Sequence, residues 1–387
     1  MKKEKGQGAL RAIGLTLIVF TLLASLTSCG LILGGDGGGG TTLAAPGSTT
    51  APVPPTTQPV DFDQYLSPEI PSEAGTYVYV AAVATPSVVS IVTEEIVYDP
   101  YYGSTVARGA GSGVVCYVDT AAGITYIITN NHVVEGYSAV TVYKNGSAVE
   151  YPAHVVGTDW QTDIAVISVA STDFVAAQFG NSSQLLVGQE VAAIGNPLGT
   201  LGGSVTPGIV GALARQIEIE GVPMTLVQHS APVSPGNSGG GLFNLYGQLV
   251  GIVNAKSTGS GVEGLGYAIP VDLALERAGE IIRQGYVSGT PSLGISYSIS
   301  SSGIVVSSYL YNDELSAAGQ TPLLAGDILS TLDGQEILEV ADVRRVLSEK
   351  NVGDTVTAVL YRPERFNYTK YTVTLTVHEY LPSWVED

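Results

Sequence analysis

The amino-acid sequence predicts a mainly β protein made of two folded units, the larger all-β and the smaller α+β. Three observations carry this reading. Short β-branched runs recur at regular intervals from about Gly75 to Gly285, divided by Gly, Asn and Pro signals, which is the texture of an all-β sandwich or barrel and not of βαβ units. One amphipathic helix closes that block. A second set of strand-like runs with a single clear helix occupies about 290–380. At 387 residues and 45% hydrophobic content, the chain is long and apolar enough for two cores.

Lys2, Lys3, Lys5 and Arg11 precede an uncharged run from Ala12 to Leu33, the layout of a secretory signal. Leu26-Thr27-Ser28-Cys29 resembles the lipobox of bacterial lipoproteins, whose cysteine receives the lipid. The same run holds 22 residues, enough to span about 30 Å of hydrocarbon. Residues 1–29 are therefore expected to be a lipoprotein signal peptide, with Cys29 as lipidation site, or a membrane anchor. Residues 30–74 are Gly-rich, then Thr/Ala/Pro-rich, a composition that buries too little apolar area to offset the entropy of ordering it. A disordered tether is expected there.

The larger unit is placed at 75–286. Its strands are expected in "SVVSIV", "GVVCYV", "ITYIIT", "AVTVYK", "DIAVISV", "EVAAIG", "PGIVGAL", "MTLVQ", "QLVGIVN" and "LGYAIP". The closing helix lies in "PVDLALERAGEIIRQG", where Leu275, Ala278, Ile281 and Ile282 fall at helical spacing and Gly285 stands at the C-cap. The smaller unit, 290–380, has strands in "SLGISYSI", "GIVVSSYL", "GDILSTLDG" and "YTVTLTV". Its helix, "ADVRRVLSEK", puts Val343, Val346 and Leu347 on one face.

Charge and cysteine content narrow the function. Sixteen Lys+Arg against 35 Asp+Glu give a net charge of −19, which argues against binding nucleic acid through counterion release. Only Cys29 and Cys116 exist, so lipidation of the first leaves no intrachain disulfide. Cys116 lies in an apolar run, where a buried structural thiol is the commoner case. No His/Cys/Glu cluster has metal-ligand spacing, and no metal or other cofactor is expected.

A hydrolytic constellation is legible. His132 follows the apolar strand "TYIIT", Asp163 opens the strand "DIAVISV", and Ser238 stands in the glycine-rich "SPGNSGG". A serine hydroxyl is a weak nucleophile at neutral pH; it needs an imidazole to take its proton and a buried carboxylate to fix the imidazole tautomer. The glycines around Ser238 open backbone conformations closed to other residues, so that amides of Gly236, Asn237 and Ser238 can form an oxyanion hole. His154, His229 and His378 lie in strand-like runs and read as structural. Asp159 is a rival carboxylate, but "GTDW" reads as a turn.

In order, "TNNHVV", "TDIAV", "AIGNPLG", "SVTPGIVGAL", "SPGNSGG" and "GLGYAIPV" resemble the HtrA (Deg, Do-like) family of serine proteases over about Tyr77 to Gly285. The resemblance implies a chymotrypsin-type pair of β-barrels, with His132 and Asp163 on the first and Ser238 on the second. Gly241 stands where the family usually has Pro, and Ser230 where it commonly has Asp. The pocket for the substrate side chain falls to Pro232 and Val233, which carry no charge and favour small or medium apolar residues. Asn237 cannot make the ion pair by which trypsin-like zymogens are activated, so regulation by loop ordering is expected.

The smaller unit resembles a PDZ domain, with Leu293, Gly294 and Ile295 at the loop whose amides receive a peptide's C-terminal carboxylate. The family further implies an ATP-independent endopeptidase acting on unfolded, misfolded or exported proteins and assembled as a homotrimer, and the N-terminal segment places it outside the cytoplasm, tethered to the bacterial membrane by lipid or N-terminal helix. The rival reading is a chaperone or scaffold that binds unfolded segments and cleaves little.

Overall fold

The computed structural model describes Phe62, Gln64 and residues 75–99, 103–196, 202–254, 265–300, 303–365 and 367–382. The signal or anchor expected at 1–29, with Cys29, lies outside the described residues. So does most of the tether expected at 30–74. Phe62 within that segment sets its ring edge-on against Phe179, 5.8 Å between centroids.

The near-continuous apolar runs of the larger unit are explained by strands buried on both faces. After a short helix α1 (Tyr77–Ala84), strands β1 (Val88–Asp99), β2 (Gly103–Asp119), β3 (Ile124–Asn130), β4 (Ala139–Lys144), β5 (Tyr151–Asp159) and β6 (Ile164–Val169) close a barrel in the order β1-β2-β3-β6-β5-β4. Val89, Ile91, Val115, Ile127, Val142 and Ile167 fill its interior. Their strand neighbours Val88, Val114, Cys116, Ile128 and Val166 point the other way and join a second cluster. That cluster belongs equally to the next barrel.

The second barrel uses β8 (Glu190–Gly195), β9 (Ser204–Ile219), β10 (Val222–His229), β11 (Gly241–Asn244), β12 (Gln248–Asn254) and β13 (Gly266–Pro270). They run in the order β11-β8-β9-β10-β13-β12, and pairing of β11 with β12 closes the ring; β7 (Gln178–Phe179) adds a short parallel edge. Val191, Val210, Val227, Leu242, Val253 and Ala268 fill this interior. Ala192, Ile194, Leu226, Phe243, Leu249 and Ile252 face the first barrel. Between β3 and β4 a single helical turn, α2 (Asn131–Val134), leads off the rim. The closing helix α3 (Val271–Gln284) buries Ala274, Ala278, Ile281 and Ile282, and Gly285 ends it at φ 84° with its N–H on the Ile281 carbonyl. The helix α1 and the short strands β7 and β11 were not among the elements expected from the sequence, whereas β5 is the strand-like run around His154.

The smaller unit is built on a six-stranded antiparallel sheet, with a separate two-stranded pair beside it. It contains β14 (Pro291–Ser292), β15 (Ile295–Ser300), β16 (Gly303–Tyr309), α4 (Asn312–Ala317), β17 (Ile328–Leu332), β18 (Gln335–Glu336), α5 (Val340–Ser348), β19 (Thr355–Pro363), β20 (Tyr368–Thr376) and β21 (His378–Glu379). The sheet order β15-β16-β17-β19-β20 leaves β15 at an edge. Val346 and Leu347 of α5 pack with Ile304, Leu329, Leu360 and Leu375 into one core. Glu339 and Asp342 form a reciprocal capping box at the N-terminus of α5.

Asp327 anchors this sheet from within. It is 1% exposed, takes a two-pronged contact from Arg362 at 2.8 Å, and accepts from the Leu324 N–H and the Tyr371 hydroxyl. Burial alone would raise its pKa, but the Arg362 and Tyr371 bonds outweigh that and hold the carboxyl below its ordinary value. Replacing Asp327 by Asn should cost about 3 kcal/mol, because Arg362 is left without its counter-charge. Equilibrium urea unfolding of the two proteins followed by circular dichroism checks this; matching midpoints would refute it.

Candidate active site

His132 is the second residue of α2, which β3 delivers to the barrel rim. Asp163 sits in the turn before β6 at φ 57°, a left-handed conformation uncommon for a residue with a Cβ. Hydrogen bonds hold it there. Its carbonyl accepts from Asn131 N–H and Asn130 Nδ2, both at 3.0 Å. Its Oδ1 accepts from the His132 amide at 3.0 Å, and its Oδ2 from His132 Nδ1 at 2.7 Å and from Asn254 Nδ2 at 2.9 Å. Asp163 is 7% exposed. A carboxylate in that position fixes the proton on Nδ1 and leaves Nε2 as the free base.

Ser238 comes from the second barrel. Ser234 to Asn237 form a turn closed by the Asn237 N–H on the Ser234 carbonyl at 3.0 Å, with Pro235 second and Gly236 third at φ 96°. Those are the residues and the sign of a type II turn. Gly239, at φ 83°, is required for a further reason: a Cβ there would lie 2.2 Å from the Ser112 carbonyl oxygen. The first barrel grips the turn through Ser112, whose Oγ donates to the Gly236 carbonyl at 2.7 Å and whose N–H donates to the Ser238 carbonyl at 2.8 Å. His132, Ser238, Gly236, Pro235 and Tyr137 line one cleft of about 280 Å³. A histidine base, a serine and a glycine turn are thereby brought to a common solvent-filled space.

The remaining expected residues fall as follows. Pro232 is exposed and Val233 half-buried against the core of the second barrel, and neither lines that cleft. Asn237 is 5% exposed, and its Oδ1 has no partner among the described residues. Ser230 Oγ, just past the end of β10, accepts from the Ile209 amide of β9 at 3.0 Å. At Gly241 a Cβ would stand 2.3 Å from the Phe243 ring. Asp159 ends β5, buried, and caps its own turn by accepting from Gln161 N–H and the Thr162 hydroxyl, away from His132. Cys116 is a buried free thiol whose pKa burial drives upward.

Leu293, Gly294 and Ile295 follow β14, with Gly294 at φ 66° and its ring neighbour Tyr311 filling the space a Cβ would need. Leu293 and Ile295 line a cavity of about 500 Å³ with Val340, Val343 and Leu347, and Tyr137 and Trp160 of the larger unit complete its wall. His378 stacks on Tyr311 at 3.6 Å. No group of three or more His, Cys, Asp or Glu that could hold a metal occurs among the described residues. Among them, too, no helix is long and apolar enough to cross a membrane.

Ser112 and Asn254 were missed by the sequence reading. Ser112 lies among glycines and Asn254 at the end of an apolar run, and the importance of each comes from what the opposite barrel places against it.

Comparison with known proteins agrees with this arrangement. Residues 111–252 match the family model of a trypsin-like peptidase domain, and residues 291–377 that of a PDZ domain. The chain is 37% identical over 242 residues to serine protease Do-like HtrA of Lactobacillus helveticus, covering 56% of this chain and 57% of that protein. It is 35% identical over 260 residues to serine protease Do-like HtrB of Bacillus subtilis (strain 168), covering 61% and 56%. With a probable periplasmic serine endoprotease DegP-like of Halomonas elongata it shares 34% identity over 243 residues, covering 60% and 49%. The chain thus spans about half the length of the curated relatives it matches. Among solved structures, a variant of the HtrA-type protease AlgW with decapeptide superposes with TM-score 0.51 at 28% identity, covering 80% of this chain and 99% of that one.

Two expectations follow from the geometry. Ser112→Ala frees the Gly236 carbonyl, and hydrolysis of a peptide substrate should fall about tenfold in kcat with little change in KM, since the amide being oriented acts on the transition state. The second concerns His229, which is 1% exposed with its ring against Gly266. Burial lowers its pKa to about 4, so the folded protein holds it neutral. The stabilisation is full above the unfolded pKa of about 6.5 and is lost as pH falls from there to about 4, on the order of 3 kcal/mol. Thermal unfolding across that range should be flatter for His229→Leu than for the wild type.

Proposed function

We propose that this chain, a member of the HtrA family joining a trypsin-like peptidase domain to a PDZ domain, is an extracytoplasmic serine endopeptidase. The observation that carries the reading is the 2.7 Å contact of His132 Nδ1 with Asp163, on the cleft that also exposes Ser238. Ser238 Oγ attacks the substrate carbonyl while His132 Nε2 takes its proton, and Asp163 stabilises the imidazolium that forms. Amides of the Gly236–Ser238 turn then receive the oxyanion, each donor contributing about 3 kcal/mol in the transition state. His132 returns the proton to the leaving amine, and water repeats the sequence on the acyl-enzyme.

No nucleotide takes part in this chemistry, so hydrolysis proceeds without ATP. Pro232 and Val233 stand outside the Ser238 cleft and add no charge upstream of it, and among the described residues no acidic one lines the cleft to hold a cationic side chain, so cleavage after Val, Ala or Ile is favoured. Asn237 supplies no carboxylate for a new N-terminal ammonium, so activity is set by ordering of the turn and not by trimming. The PDZ domain takes C-termini of unfolded, misfolded or exported proteins at Leu293–Ile295, and the similar HtrA-type protease AlgW is described with a decapeptide. The N-terminal segment, lipidated at Cys29 or retained as a helix, tethers the protein to the bacterial membrane, and three copies assemble.

Labelling with a fluorophosphonate, followed by mapping of the modified residue, tests the core of this reading. Ser238 should carry the label, and Ser238→Ala should lose both label and casein cleavage. Absence of label together with suppression of casein aggregation would instead favour the chaperone reading.

A further inference from the structure

The helix that walls the PDZ groove is joined by one side chain to both barrels of the protease. Arg344 of α5 pairs with Glu135 Oε1, three residues beyond His132, and its other terminal nitrogen lies 3.8 Å from Glu220 in the β9–β10 turn. The helix also rests on that turn directly: a Cβ on Gly221 would stand 2.6 Å from the Ala341 carbonyl oxygen. The cavity beside it is bounded by Val340, Val343 and Leu347 on one side and by Tyr137 and Trp160 on the other. Any ligand there touches both domains.

Glu135 has a second duty. Its N–H donates to the Asn131 carbonyl at 2.9 Å, and its Oε2 accepts from Asn131 Nδ2 at 3.1 Å, so one carboxylate closes the turn on which His132 stands. Asn131 N–H in turn donates to the Asp163 carbonyl at 3.0 Å. A continuous set of contacts therefore runs from Arg344 through Glu135 and Asn131 to the His132–Asp163 pair. A four-residue helix has little cooperativity of its own and depends on such end contacts.

Building on the protease reading above, we propose that Glu135 is a positioning residue for His132, and that Arg344 is the PDZ-domain partner that sets it. The pair is part-exposed, with side chains 14% and 40% accessible. It is therefore open to salt and to competition from a carboxylate on a peptide in the groove. A ligand bearing an acidic side chain upstream of its C-terminus competes with Glu135 for the guanidinium.

The test measures kcat and KM of the full chain on a short amide-capped chromogenic peptide, which offers the groove no C-terminal carboxylate. Arg344→Glu and Glu135→Arg should each lower kcat about fivefold or more with KM little changed. The double exchange should recover most of the loss, and raising salt to about 0.5 M should narrow the gap between wild type and variants. Arg344→Gln, which removes the charge with little change in shape, should fall on the same side as Arg344→Glu. Wild-type kcat in the single variants, or a double exchange no better than either, overturns the proposal. Fluorophosphonate labelling keeps the two readings apart. An unlabelled wild type refutes the protease assignment, whereas full labelling with unchanged kcat in Arg344→Glu refutes only the pairing.

Discussion

One carboxylate sets the terms for the rest of the molecule. Asp163 gathers the amide and imidazole of His132 from the first barrel and the side-chain amide of Asn254 from the second. Buried as it is, its charge is tolerable only because donors surround it. The arrangement also fixes the register between the barrels, since Asn254 ends β12 and Asp163 stands in the turn just before β6. A slip of either barrel would leave a buried charge short of a partner, so the chemistry and the domain packing stand or fall together.

The turn that carries Ser238 obeys the same logic from the other side. Its glycines are needed where the first barrel comes close, as at Gly239 beneath the Ser112 carbonyl, and where backbone sign matters, as at Gly236. Ser112 then serves both barrels, donating to Gly236 and accepting from the Asn196 amide at 2.8 Å. Thr129 Oγ1 holds the Ser112 carbonyl at 2.7 Å. Rigidity at the serine is thus borrowed from strands far away in sequence.

How much of this the sequence carried depends on the range of the interaction. The barrel strands were legible because their apolar runs are long enough to fill an interior on one face and the inter-barrel cluster on the other. His132, Asp163 and Ser238 were legible because each sits in a local context that is informative by itself. Ser112, Asn254 and Arg344 were not, for their partners lie 124, 91 and 209 residues away. Helix α1 was hidden by its β-branched composition, which favours strands, and forms under a Thr76 cap. Phe62 was hidden by the Pro-rich sequence around it. Pro232 and Val233 were placed by position in the chain, and the cleft that holds Ser238 is walled by other residues.

The shared cluster between the barrels has a consequence for biogenesis. A chain that has closed only its N-terminal barrel displays Val88, Val114, Cys116, Ile128 and Val166 as a bare greasy wall until β8 to β13 wrap against it. Newly made copies therefore pass through a sticky adolescence of the kind that draws chaperones, and any delay in completing the C-terminal half lengthens it.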